Sequence, residues 1–183
     1  MTKSDKLAKI AAEIEVCKIC HKNKSGMAVP GEGNSDADVI FIGEAPGRNE
    51  AASGRPFIGR SGKLLREAIR SIGLTEDEVY ITSPVKYLPD YITPTDEDIA
   101  HGMTHLSKQI EVIQPKVLVL LGRVAVRGVL GEKMMISHQH GEFVKKDGLT
   151  YFISYHPAAA IRFQKFKKTF LDDFAKIKEV LTN

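Results

Sequence analysis

Asp38-Val39-Ile40-Phe41-Ile42-Gly43-Glu44-Ala45-Pro46-Gly47 is the stretch from which the fold of this chain can be read. Val39 to Ile42 is a short apolar run of the kind that forms a buried strand. It breaks at Gly43 into a loop rich in glycine and proline, which continues through Gly54-Arg55-Pro56-Phe57-Ile58-Gly59-Arg60-Ser61-Gly62. Behind the loop, Leu64, Leu65, Ala68, Ile69 and Ile72 recur at helical spacing. A strand therefore feeds a helix through a tight turn. Such a turn lets a ligand approach main-chain N–H groups, and a helix start favours anionic groups.

Two common cofactor loops are excluded. A Walker phosphate loop needs Gly-x4-Gly-Lys-Ser/Thr, but Leu64 follows Gly62-Lys63 and Phe57 stands at the first glycine position. A dinucleotide fingerprint needs Gly-x-Gly-x-x-Gly, and Gly43-Glu44-Ala45 lacks the second glycine. The distinctive residues that remain are two carboxylates, Glu44 and Glu50, and an aromatic ring, Phe57, set between a proline and a glycine-bounded turn.

Working outward, three more segments read as strands: Val79–Thr82, Lys116–Leu121 and Thr150–Ser154. Helical patterns lie between them and at both ends. The first spans Lys3 to Val16, one follows the capping sequence Thr95-Asp96-Glu97-Asp98, and a short one follows Gly122-Arg123. The last carries Phe163, Phe166, Phe170, Phe174, Ile177 and Leu181 as a core-facing stripe. A polar loop is expected over Asp90–Pro94, and a loop or small hairpin over the histidine-containing segment Ile136–Glu142. Alternating strands and helices imply a three-layer α/β/α fold around a central, mostly parallel four-stranded sheet. Ligands bind such sheets outside the carboxyl ends of the strands, a rule that gathers Glu44, Ser83, Gly122 and His156 at one edge. The basic residues Arg162, Lys165, Lys167 and Lys168 follow His156 and rim the same crevice.

Size and composition set the remaining bounds. With 183 residues, 43% hydrophobic and 27% charged, the chain is expected to form one globular domain over residues 1–183. No apolar run is long enough for a membrane span and Met1 to Lys6 lacks the core of a signal peptide, so a cytoplasmic location is expected. The net charge of +3 permits a nucleic-acid partner without requiring one. Both cysteines lie in Cys17-Lys18-Ile19-Cys20-His21. That is formally a haem-attachment motif, which would require export. Zinc and iron–sulfur centres take four ligands, so a metal site needs histidines from elsewhere; a pair of reduced thiols or a local disulfide is the plain alternative.

At this point the chain resembles the family 4 uracil-DNA glycosylases of the wider uracil-DNA glycosylase superfamily. The resemblance runs from Cys17-x-x-Cys20 through Gly43-Glu44-Ala45-Pro46-Gly47, Gly54-x-Pro56-Phe57-x-Gly59-x-x-Gly62, Tyr80-Ile81-Thr82 and Leu121-Gly122-Arg123 to Tyr155-His156-Pro157-Ala158-Ala159. It implies a monofunctional DNA glycosylase that flips uracil out of DNA and hydrolyses its N-glycosidic bond at the start of base-excision repair. Phe57 would stack on the flipped base, with Gly43, Ala45 and Ser83 lining its site. His156 would donate to a carbonyl oxygen of the departing base, and Glu44 would orient water or stabilise the sugar cation. Glu50 would make lesser pocket contacts. Ala160, Ile161, Arg162 and Lys165 would meet DNA, with Ile161 or Arg162 as the wedge. The implied partner is DNA carrying uracil or another deaminated base; no membrane is involved, and the chain is expected to act as a monomer.

Two departures qualify the carry-over. The family holds a 4Fe–4S cluster on four cysteines; here Tyr87 stands at the third position and His101-Gly102 near the fourth, so the cluster is expected to be lost and no cofactor is expected. A metal site on Cys17 and Cys20 with His21 or His101 is the alternative. Ser83 stands where the family places a base-reading asparagine, and a hydroxyl offers less than an amide. That leaves open a relaxed or shifted specificity, for hypoxanthine or xanthine, or a DNA-binding homologue with weakened catalysis.

Overall fold

The computed structural model describes residues 1–91, 93–131 and 135–181. The helix α1 (Lys3–Glu15) opens on a capping box in which Thr2 and Asp5 satisfy each other's backbone N–H groups. After it come α2 (Lys18–His21), β1 (Lys24–Ser25), β2 (Glu32–Gly33) and β3 (Val39–Ile42). The loop beyond β3 contains α3 (Arg48–Ser53) and runs into α4 (Arg60–Ser71). Next are β4 (Tyr80–Thr82), β5 (Leu88–Pro89), α5 (Asp96–Ile113), β6 (Val117–Leu121) and α6 (Arg123–Leu130). The chain ends with α7 (Ile136–Gln139), β7 (Phe143–Lys146), β8 (Leu149–Ser154), α8 (Pro157–Arg162) and α9 (Gln164–Leu181). As its sequence promised, α5 starts on a capping box between Thr95 and Asp98.

The four expected strands form the parallel centre of the sheet in the order β4-β3-β6-β8. Antiparallel edge strands β2 and β7 extend it to six, where four were expected. Both escaped the sequence reading because edges are short and only partly buried. The hairpin is β7–β8, turning at Asp147-Gly148, whereas residues 136–139 form a helical turn. Ile92, within the polar loop expected over Asp90–Pro94, lies outside the described residues.

Alternation along the strands divides the core in two. Val39, Phe41, Val117, Val119, Leu121 and Phe152 face α4 and α9, where Leu65, Ile69, Phe170 and Phe174 meet them. Ile40, Ile42, Leu118, Leu120, Tyr151 and Ile153 face α5 and α6, meeting Leu106, Ile113 and Val126. Each such side chain contributes about 1.5–3 kcal/mol by leaving water. The aromatic stripe of α9 starts later than its spacing suggested. Phe170, Phe174 and Ile177 are fully buried, but Phe163 is 47% exposed. The reason is a break in helical phase: Phe163 is extended, with φ −126° and ψ 107°, and separates α8 from α9.

From β3 the chain goes first to β4 on one side and then crosses to β6 on the other. The switch of direction falls between β3 and β6, and the carboxyl ends of the strands at such a point are where these sheets bind ligands.

Candidate active site

Glu44 lies just beyond β3, Ser83 beyond β4, Gly122 beyond β6 and His156 beyond β8, so the topology brings all four to the carboxyl edge. Phe57 reaches that edge from the loop before α4. Its ring centroid is 5.9 Å from that of His156, with the planes 33° apart.

Three glycines make room for this pair. A Cβ on Gly43 would sit 2.4 Å from Phe57 Cζ, one on Gly62 1.8 Å from the Phe57 carbonyl oxygen, and one on Gly122 2.9 Å from His156 Cβ. Gly122 also holds φ +87°, which suits glycine alone. The Gly43 N–H is taken by the Thr82 carbonyl at 2.9 Å, so Gly43 serves the site through space and offers no donor.

Phe57 itself holds φ +51°, strained for a residue with a side chain. Two groups fix it there. Glu50 is buried, and its Oε1 accepts the N–H groups of Ile58 at 2.9 Å and Gly59 at 2.8 Å. Arg66 on α4 donates to the carbonyls of Pro56 and Phe57, both at 3.2 Å, while also pairing with Glu32 and Glu76. Glu50 is thus a brace for the loop. Arg66 was missed in the sequence because its partners are distant in the chain and leave no local pattern.

His156 begins α8, and its Nδ1 accepts the Ala158 N–H at 3.1 Å. That bond fixes the neutral tautomer with its proton on Nε2. Burial pushes the imidazole pKa down to about 4, so the ring stays neutral around pH 7 and presents one N–H. Burial raises the Glu44 pKa, and the nearby Arg123 charge opposes that rise. Ser83 is buried and donates its hydroxyl to the Val85 carbonyl at 2.8 Å, which leaves only lone pairs for a ligand. Ala45 is half-buried beside Glu44.

Beyond His156, Ile161 and Arg162 are exposed and Lys165 lies over the Phe166 ring at 5.0 Å. Ala160 differs from its expected role: it is 1% exposed and packs in the core, because α8 turns that face toward α4 and α9. Phe163 takes its place on the outer surface, under the Arg162 guanidinium at 5.5 Å. His140, left unassigned by its sequence, donates or accepts at Nδ1 with buried Asp173 at 2.7 Å and lies against the Tyr155 ring.

The two cysteines do not lie at this edge. Cys17 and Cys20 meet His101 and His105 of α5, their ligand atoms all within 4.8 Å of one another. His21 is elsewhere, packed edge-on against Tyr87. His105 escaped the sequence reading, although its spacing of four from His101 on one helix was a usable signal. The donor set does not fit the four-cysteine cluster that the resemblance implied. Tyr87 turns its hydroxyl to the carbonyls of Ile14 and Glu15, so the third cysteine position offers no ligand.

The fold is thus a doubly wound α/β/α fold with a histidine, a carboxylate and a braced aromatic ring at the carboxyl edge of its parallel strands. Comparison places it more narrowly: the family model of the uracil DNA glycosylase superfamily matches residues 30–178, and the chain belongs to that superfamily. It is 39% identical to the type-4 uracil-DNA glycosylase of Sulfurisphaera tokodaii, over 96% of this chain and 85% of that protein. The type-4 enzyme of Saccharolobus solfataricus is also 39% identical, with 98% and 88% covered. That of Archaeoglobus fulgidus is 38% identical, with 96% and 94% covered. Among the described residues, no helix is long and apolar enough to cross a membrane.

Proposed function

We propose that the chain is a monofunctional glycosylase that excises uracil from DNA. The observation that carries this is the neutral imidazole of His156, aimed by the Ala158 N–H and set beside a strained, braced Phe57. A base lying on Phe57 presents its edge to His156 Nε2–H. As the C1′–N1 bond breaks, its electron pair passes to the base, and negative charge develops on the carbonyl oxygen that accepts this hydrogen bond. The sugar becomes oxocarbenium-like, and the Glu44 carboxylate stabilises it and orients the water that adds to C1′. A neutral donor suits this step, since its proton is held and not lost to the solvent before the bond breaks.

No Schiff-base step is expected. Burial pushes the Lys86 pKa down to about 7, but that amine is enclosed and donates to Pro30, Thr82 and Gln109 oxygens. The relatives' names support uracil as the base, and the Ser83 hydroxyl, spent on Val85, gives no specific support for hypoxanthine or xanthine. The two core faces share one sheet, which supports reading residues 1–183 as a single domain; we take that domain to act as a monomer. The 4Fe–4S cluster is lost on this reading, because only two cysteines remain and the Tyr87 hydroxyl is spent on the Ile14 and Glu15 carbonyls.

The test is incubation with a duplex carrying one uracil, then hot alkali to cut abasic sites, alongside His156→Ala and Phe57→Ala. Cleavage by the wild type that falls sharply in both variants is expected. Duplexes with hypoxanthine or xanthine cut faster than uracil would overturn the assignment of the base, and no cleavage of any of the three would overturn the enzyme. Borohydride should trap no protein–DNA adduct.

A further inference from the structure

The Cys17-x-x-Cys20 motif takes no part in the chemistry above. Cys17 caps α2, its Sγ accepting the Cys20 N–H at 3.4 Å, which turns both sulfurs toward α5. From α5, His101 and His105 face them one helical turn apart, their rings 5.6 Å apart and nearly perpendicular. Cys17 Sγ lies 3.2 Å from His101 Nε2. His105 is 7% exposed, and neither of its ring nitrogens has a hydrogen-bond partner among the described residues. A neutral imidazole has one N–H and one lone pair, and leaving them unmet in the interior costs about 1–3 kcal/mol. A metal bond would answer that lone pair.

We propose that Cys17, Cys20, His101 and His105 bind a single zinc ion, where the family resemblance had implied an iron–sulfur cluster. Two thiolates and two imidazoles are a common structural zinc set, and a tetrahedron with Zn–S near about 2.3 Å and Zn–N near about 2.0–2.1 Å has edges of about 3.3–3.8 Å. The four donor atoms, all within 4.8 Å, need only a small contraction to reach it. A two-iron cluster on two cysteines and two histidines puts the sulfurs on one iron and the nitrogens on the other. The 3.2 Å contact between Cys17 and His101 instead brings a sulfur and a nitrogen onto one ion.

The ion would clip α2 to α5. It would also back the loop after β4, since Gly102 lies so close to that loop that a Cβ would sit 2.1 Å from the Pro84 oxygen. This role is structural and does not depend on the glycosylase reading.

Elemental analysis of the full-length protein, purified without chelator, is expected to find about one zinc per chain and no acid-labile sulfide. Stripping it with a strong chelator should expose two reactive thiols and lower the melting temperature, and zinc should restore both. Cobalt added to stripped protein should give the intense visible absorption of a tetrahedral thiolate site. His105→Ala should lose the metal and His105→Cys should keep it, as three cysteines and one histidine also hold zinc. If His105→Ala does not fold, the thiol count and the cobalt spectrum of the wild type decide. Iron with sulfide, full zinc retention in a folded His105→Ala, or failure of stripped wild type to take up either metal would overturn the proposal.

Discussion

Arg66 donates its Nε–H to the carbonyl oxygen of Phe57 at 3.2 Å, from the helix that the Phe57 loop itself opens. The same guanidinium reaches Pro56 and two carboxylates, so one half-buried side chain ties the edge strand, the loop and α4 together. A left-handed Phe57 costs on the order of 1 kcal/mol or more, and it persists because Arg66 and Glu50 hold the residues around it.

Arg66→Ala should therefore act on the chemistry although it touches no substrate. Release of Phe57 is expected to lower kcat/KM on uracil DNA about ten- to a hundred-fold, the scale of a misplaced site group. Arg66→Lys should not restore it, because a point charge cannot span two carbonyls and two carboxylates. Single-turnover rates and circular dichroism would check this. A folded alanine variant with wild-type rates would reduce Arg66 to a surface ion pair.

In the proposed mechanism Glu44 acts as a carboxylate, and burial raises its pKa. The acid limb of the pH profile should thus lie above the ordinary glutamate value of about 4.3. Stability carries the opposite sign. The folded chain holds this proton more tightly than the unfolded one, so ionised Glu44 is a cost above its folded pKa. Glu44→Gln should lose most activity and the acid limb while melting at the same temperature or higher near pH 7. A clearly lower melting temperature would show that Glu44 is structural.

His156 gives the reverse linkage. Its folded pKa of about 4 lies below the unfolded value of about 6.5, so the unfolded chain binds the proton first as pH falls. Its contribution is present above about pH 6.5 and is lost toward about pH 4, a swing on the order of 2–3 kcal/mol. Denaturant unfolding of wild type and His156→Gln at pH 7 and pH 4.5 measures it. The wild type should lose more between the two. Equal losses would mean that the ring is ordinarily solvated.

Phe163 and Ile161 stand exposed beside the site, at 47% and 38%. An apolar side chain driven into a base stack matters where a stack must be opened. Phe163→Ala should weaken uracil excision about ten-fold on duplex and less on single strands, on the scale of stacking energies. Equal loss on both substrates would make Phe163 a general contact.

The local order of residues determined much of this molecule. Apolar runs ending in glycine, serine or proline turns gave the four parallel strands, because buried strands must be apolar on both faces. The loop from Gly43 to Gly62 and the His156-Pro157 turn announced the site, because close approach and fixed turns demand those residue types. The tertiary structure decided the rest. Glu50 became a brace, Ala160 went into the core and Phe163 came out of it, since each outcome depends on which way a neighbouring element turns. Cys17 and His101 are 84 positions apart, and only the packing of α2 against α5 brings them within 3.2 Å. Arg66 shows the same limit. Hydrogen bonds and metal bonds act over a few ångströms of space whatever the separation along the chain, so their partners are chosen by the fold.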